Sequence, residues 1–263
     1  RDYIHYRQRE AARASGAQRA FVRPFLYPVL ASDGTELTSD QSAIKGGDHP
    51  HHRSIWVGHG KVNAVDHWLF KGDNPPRQRH VRFIKCDGDT IEQELEWEGA
   101  TPAQVLIKER RTLRFIQYPD GARAIDLTVA LTAVAGSVTF TANNEASFCA
   151  VRLLKDFAKS SRLENSLGDS GEPACRGNPS AWCAMSGTLN EKPYCVALFH
   201  HPANPQHPTT WHARQYGFIG HIGPGTFSID TGRSTTLRYR MIFAPGDAKS
   251  VKLDQKYKDF SAQ

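Results

Sequence analysis

The sequence is poor in most of the features that settle a protein's class at once. Its five cysteines, Cys86, Cys149, Cys175, Cys183 and Cys195, show none of the paired short spacings of zinc or redox motifs, and an odd number leaves at least one thiol unpaired within a monomer. They read as buried or idle thiols. Long apolar runs are also missing: the longest, such as Ile125 to Val134, are strand-sized and fall short of the roughly 20 residues that cross a bilayer. No membrane span is expected. The 33 basic and 27 acidic residues give a net charge of +6 but form no long run of one sign, whereas a nucleic-acid reader concentrates its basic residues on one face or arm. No nucleic-acid partner is expected either. Internal repeats, low-complexity linkers and βαβ alternation are absent as well.

What is present is an ordinary globular composition, 39% hydrophobic and 23% charged over 263 residues, enough for one large all-β domain or two small ones. One domain over residues 1–263, with 1–22 as an N-terminal extension and 244–263 as a C-terminal tail, is the simpler reading. The chain begins at Arg1 without a methionine or apolar leader, which is compatible with a removed signal peptide, so the compartment, cytoplasmic or periplasmic, stays open.

The middle of the chain is the clearest structural text. Ile125, Leu127, Val129 and Leu131 alternate with Asp126, Thr128, Ala130 and Thr132, the period of a strand with one buried face. Before it, His80 to Cys86 and Ile91 to Trp97 flank Asp87-Gly88-Asp89, and Val105 to Gln117 turns at Tyr118-Pro119-Asp120-Gly121, both turn chemistries. Ser137 to Ala142 extends this series into a meander. Further strands are expected at Tyr194 to Phe199, Thr226 to Asp230 and Thr235 to Phe243, and helix only at Tyr6 to Ala14 and near Val251 to Phe260. The pattern predicts an all-β protein, an antiparallel β-sandwich with little helix.

Ten of the twelve histidines fall in two windows, His49, His51, His52, His59 and His67 in one and His200, His201, His207, His212 and His221 in the other. Both windows are loop-like in composition, and loops on a rigid sheet are where binding groups concentrate. The windows are expected to meet in one site. If the first is extended, His49 and His51 point to one side and His52 to the other, so His49 and His51 could share a divalent metal ion; ordinary hydrogen-bonding histidines are the alternative. In the second, Trp211 and Tyr216 offer flat apolar faces and His212 and Arg214 offer donors, the mixture that binds a sugar, against the alternative of a polar loop with one aromatic pinned to the core. Between the windows, Glu145 and Arg152 place a carboxylate and a guanidinium near a strand end. Glu145 is the preferred general base, with His51 and His52 as the other catalytic candidates; a plain surface ion pair is the competing explanation. Arg152, Trp211, His212, Arg214 and Tyr216 are the expected substrate-binding residues.

The stretch from Asp48 to Trp56, preceded by Arg23 to Pro28 and Asp33 to Thr38, resembles the bacterial family known as PmoA-like or DUF6807, as do His201 to Pro205 and Pro208 to Arg214. The resemblance runs from about Arg23 to Phe243. It departs at Ser54, where the family usually has glycine, and over Cys183 to Ser186. The family's name points to methane oxidation, which a chain without a membrane span does not fit. The resemblance implies instead a galactose-mutarotase-like supersandwich and a functional link to NAD-dependent sugar oxidoreductases. It therefore implies an enzyme acting on a keto-sugar, most concretely a lyase or hydrolase that cleaves a 3-keto-glycoside. No cofactor is required by the sequence. A sugar epimerase, a non-catalytic carbohydrate-binding module and a metal-binding or redox protein are the competing readings.

Overall fold

The alternation through Ile125 to Leu131 builds the centre of the molecule. In the computed structural model, which describes residues 4–7, 23–44, 47–69, 75–101, 104–143, 145, 148–222 and 225–263, Ile125, Leu127, Val129 and Leu131 are all buried, while Asp126, Thr128, Ala130 and Thr132 are half-buried on the opposite face. Among the described residues the strands form two large antiparallel sheets and a two-stranded ribbon. The seven-stranded sheet runs in the order β1 (Ile4–Arg7), β2 (Phe25–Val29), β3 (Ile55–Trp56), β9 (Ala150–Arg152), β15 (Phe218–His221), β14 (Thr209–Arg214), β11 (Pro179–Ser180). The eight-stranded sheet runs β10 (Arg162–Asn165), β12 (Trp182–Leu189), β13 (Lys192–His200), β17 (Ser234–Pro245), β7 (Arg123–Ala133), β6 (Val105–Gln117), β5 (Thr90–Glu98), β4 (Gln78–Asp87). The ribbon pairs β16 (Phe227–Ile229) with β8 (Val138–Phe140).

One core joins the two sheets. It combines Leu26, Ile55, Val151, Ala213 and Ile219 of the seven-stranded sheet with Leu113, Leu127, Val196, Leu237 and Met241 of the eight-stranded one, the inner-face packing of an all-β sandwich. The outer face of the eight-stranded sheet carries a second apolar layer, Ala184, Ala197, Phe199 and Ile242, sealed by Val251 and by Leu253 and Phe260 of the C-terminal helix α3 (Leu253–Ser261). The tail is thus a cover for the sheet.

Three expectations need correction. Ser137 to Ala142 does not continue the meander: β8 leaves the large sheet after the turn at Gly136 and pairs with β16 instead. Tyr6 and Arg7 belong to β1, because pairing with β2 supplies backbone partners that outweigh a weak helical pattern; the rest of the Tyr6 to Ala14 stretch lies outside the described residues. Helix also occurs in mid-chain, at α1 (Lys155–Ser160) and α2 (Glu172–Cys175). Among the described residues no helix is long and apolar enough to cross a membrane.

The outer face of the seven-stranded sheet positions the site. Strand alternation sends Leu26, Ile55, Val151 and Ile219 inward, and Phe25, Trp56, Ala150 and Phe218 outward into a separate aromatic layer that Trp68 completes. Ser54, just before β3, sits at φ 60 with its hydroxyl buried and without a hydrogen-bond partner. Its backbone is held on both sides, N–H to the Ser39 carbonyl at 2.9 Å and carbonyl to the Arg152 N–H at 2.7 Å, so the left-handed conformation is imposed by the sheet. That conformation costs an L-residue about 1–2 kcal/mol and glycine little, which explains why glycine suits this position. After about 0.5–1 kcal/mol for glycine's extra freedom in the unfolded chain, Ser54→Gly is expected to stabilise the fold by up to about 1 kcal/mol, raising Tm by about 2–4 °C in a thermal melt. A lower Tm would show that the serine is not strained.

Candidate functional site

Arg152 is the outward-facing residue at the end of β9, and its side chain is only 1% exposed. Its guanidinium donates from one nitrogen to both Asp48 oxygens at 3.1 Å and faces the Nδ1 of His52 with the other at 3.3 Å. The group also lies over the Tyr216 ring at 4.6 Å, with Arg214 over the same ring at 5.3 Å. Arginine can only donate, so Nδ1 of His52 is the acceptor and the ring proton of the neutral imidazole resides on Nε2. Burial, then the neighbouring His51 and Arg152, lower the His52 pKa far below the ordinary histidine range. His52 is therefore a neutral donor and not a cation. For Asp48, burial acts upward, but the Arg152 charge and hydrogen bonds outweigh it and hold the carboxyl below its usual value.

The imidazoles continue the aromatic layer. His52 stacks on His49 at 4.6 Å and on Phe218 at 4.7 Å, and His49 stacks on Tyr216 at 5.1 Å. His51 meets His52 edge-on at 4.4 Å. Beneath them Arg23 donates to the carbonyls of His51, His67 and Trp68 and lies over Trp56 at 5.1 Å, which pins the histidine-bearing loop to the sheet. The loop is a turn, closed by the His52 N–H to His49 carbonyl bond at 2.8 Å, so the alternating sides expected of an extended segment do not occur.

The two windows contribute unequally. From the second, His212 joins this site by contact with Phe218 at 5.1 Å, and Arg214 reaches the Tyr216 ring while pairing with Glu172 of α2 at 2.8 Å. Glu145 is exposed, and its charge acts on both His212 and Tyr216, which places it beside the same face. Arg152 is buried and pairs with Asp48, so it does not form a surface ion pair with Glu145. Trp211 is a correction: it is fully buried in the inter-sheet core with its Nε1 donating to the Ser180 carbonyl at 3.1 Å. Alternation along β14 sends Trp211 inward and His212 outward, so Trp211 is not a stacking platform for a ligand.

The other histidines serve elsewhere. His200, His207 and His221 form a separate cluster with tyrosines: His200 faces His207 at 3.1 Å, His221 faces the Tyr239 hydroxyl at 3.0 Å, and His207 faces the Tyr257 hydroxyl at 3.2 Å. His59 packs on Phe148 at 5.0 Å and His67 on Trp97 at 5.1 Å, both in the interior. The windows were thus one compositional signal for two structural roles.

As a metal centre the first window fits poorly. His49 and His51 meet edge to face at 5.7 Å, but among the described residues no third His, Cys, Asp or Glu joins them as a ligand group. The neighbouring Nδ1 of His52 and the Asp48 carboxylate both face the Arg152 cation. The arrangement suits a carbonyl or hydroxyl ligand better than a cation. Asp48, Arg23, Trp56, Trp68 and Phe218 were missed as site residues by the sequence reading. Asp48 adjoins the histidine motif, and reading Phe218-Ile219 as out-in alternation would have exposed Phe218.

An all-β sandwich with one basic, aromatic and imidazole-rich face defines the class, a β-sandwich protein with a polar site on one sheet. The family follows from the sequence: a family model described as a family of unknown function, DUF6807, matches residues 3–258, and the chain belongs to that family. No curated protein matches it significantly. A solved structure of a galactose mutarotase related enzyme from Lactobacillus acidophilus is similar at 8% identity, covering 91% of this chain and 97% of that one with a TM-score of 0.37.

The buried histidines make stability depend on pH with a defined sign. Burial is the main cause lowering His59 and His212 to about 4 and His67 and His221 to about 3, with Glu145 pulling His212 partly back. Below the ordinary histidine pKa of about 6.5 the unfolded chain therefore binds protons that the folded chain refuses, and stability falls as pH falls. Each such group contributes up to about 1.4 kcal/mol of loss per pH unit across its window. Urea unfolding at pH 7.5, 6.0 and 5.0 is expected to give steadily decreasing midpoints. Equal midpoints at 7.5 and 5.0 would contradict the burial of neutral imidazoles.

Proposed function

We propose that this protein is a carbohydrate-active enzyme acting on an oxidised sugar, most concretely one that cleaves a 3-keto-glycoside by β-elimination followed by hydration. The observation that supports the reading is the Arg152 to His52 contact, which sets the neutral imidazole with its proton on Nε2, and that N–H is the donor assigned to the ligand in this proposal. A ketone at C3 makes the hydrogen on C2 acidic. A base removes that proton, the electron pair forms the C1–C2 double bond, the glycosidic C1–O bond breaks, and the departing oxygen takes up a proton. Water then adds across the double bond, so the net change is hydrolysis.

In this reading Glu145 is the base, with His51 as the alternative, and His52 stabilises the charge that develops on the carbonyl oxygen. Arg152 acts through His52 and Asp48 as a positioning residue. Tyr216, His212 and Arg214 hold the ring. An NAD-dependent sugar oxidoreductase is the proposed source of the ketone. An epimerase would share the first proton transfer and return the proton to the other face without breaking the glycosidic bond.

The test is incubation with oxidised and unoxidised glycosides, followed by mass spectrometry of the products. Cleavage is expected of the keto-glycoside alone. Glu145→Gln keeps the shape and removes the basicity, so turnover should fall by about 100-fold or more with ligand affinity little changed. Full turnover by Glu145→Gln would move the base to His51. Sugar binding without turnover of any glycoside would identify a carbohydrate-binding module in place of an enzyme.

A further inference from the structure

The Asp48–Arg152 pair has a second side. It also forms part of the wall of a cleft of about 560 Å³, lined by none of the stacked histidines and within the roughly 300–1,000 Å³ range of small-molecule sites. The other walls come from the turn carrying Thr35 and Glu36, from Ser39, Gln41, Ile44 and Gly47, from the start of α1 at Lys155 and Asp156, and from the tip of the β12–β13 hairpin at Leu189 and Asn190. These walls are braced. Asp33 accepts from the Lys192 ammonium and from the Tyr194 hydroxyl, each at 2.8 Å, which ties the turn to β13. Asn190 and Glu191 hold φ of 51 and 64, so the hairpin tip keeps a tight two-residue turn although neither residue is glycine.

We infer that this cleft is a subsite for a second sugar ring, so that the substrate class is a disaccharide or longer glycoside whose leaving group occupies the cleft; this rests on the function proposed above for the neighbouring face. The lining chemistry selects the class. Glu36, Asp48 and Asp156 accept from hydroxyls, and Lys155 and Asn190 donate to them. Ile44, Leu154 and Leu189 supply small apolar faces, but no aromatic side chain lines the cleft among the described residues, which argues against a flat aryl leaving group. Three carboxylates against Arg152 and Lys155 argue against an anionic one. Arg152 touches His52 and also lines the cleft, so the inferred subsite adjoins the imidazole-bearing face.

The experiment compares kcat/KM for a methyl 3-keto-glycoside and a 3-keto-disaccharide, on the parent protein and on the double variant Glu36→Ala, Asp156→Ala, neither residue being assigned to the chemistry. The parent should prefer the disaccharide by at least tenfold. The variant should lose that preference while the methyl glycoside is turned over within twofold of the parent. Equal use of the two substrates by the parent, or an equal loss on both in the variant, overturns the subsite. If no keto-glycoside is cleaved at all, the function proposed above fails by itself, and calorimetry with the unoxidised methyl glycoside and disaccharide decides the cleft. Tighter disaccharide binding that the double variant abolishes upholds the subsite, and indistinguishable or undetectable binding of the two sugars by the parent overturns it.

Discussion

A guanidinium buried on a sheet must be paired, and the pairing of Arg152 organises everything around it. An uncompensated buried charge costs several kcal/mol, so a fold that places Arg152 at 1% exposure has to bring a carboxylate and further acceptors to it. Asp48 supplies the carboxylate, His52 an imidazole nitrogen, and Tyr216 the face of a ring. Each of these lies far from Arg152 in sequence. The backbone of the same residue bonds Ser39 and Ser54, so one position on β9 fixes both ends of the histidine-bearing segment.

The site exists because two periodicities are kept in adjoining strands. In β9, β14 and β15 the core residues Val151, Ala213 and Ile219 alternate with Arg152, His212 and Phe218. Register sets Phe218 opposite both Arg152 and Arg214, and both guanidinium groups lie over the Tyr216 ring. The energetics favour a ligand that is neutral or electron-rich at the point of contact. The arginine charges beside His52 and His212 oppose a further cation there.

How much of this was legible beforehand depends on whether the signal was local. The strands from His80 to Leu131 carry their turns and alternation within a few residues, and they form as the pattern implies. The short strands of the site, two to six residues each, were mostly unreadable, because β3 and β9 are too brief to show a period and are held by neighbours distant in sequence. For the same reason Arg152 could be recognised as a buried charge only once Asp48 was seen to face it. Clustering of histidines in sequence proved a coarse guide. His212 joined the first window, while His200, His207 and His221 were drawn into a tyrosine-lined cluster by burial that composition alone does not reveal.

The proposed chemistry turns on Arg152 holding His52 as a neutral imidazole with its proton on Nε2. Long-range proton–nitrogen correlation NMR of the histidine rings, with His52 assigned by comparison with His52→Gln, measures this directly. The expected result is a single Nε2–H tautomer that does not take up a second proton between pH 8 and 5. A ring protonated on Nδ1, or one that titrates with a midpoint near 6.5, would contradict the account.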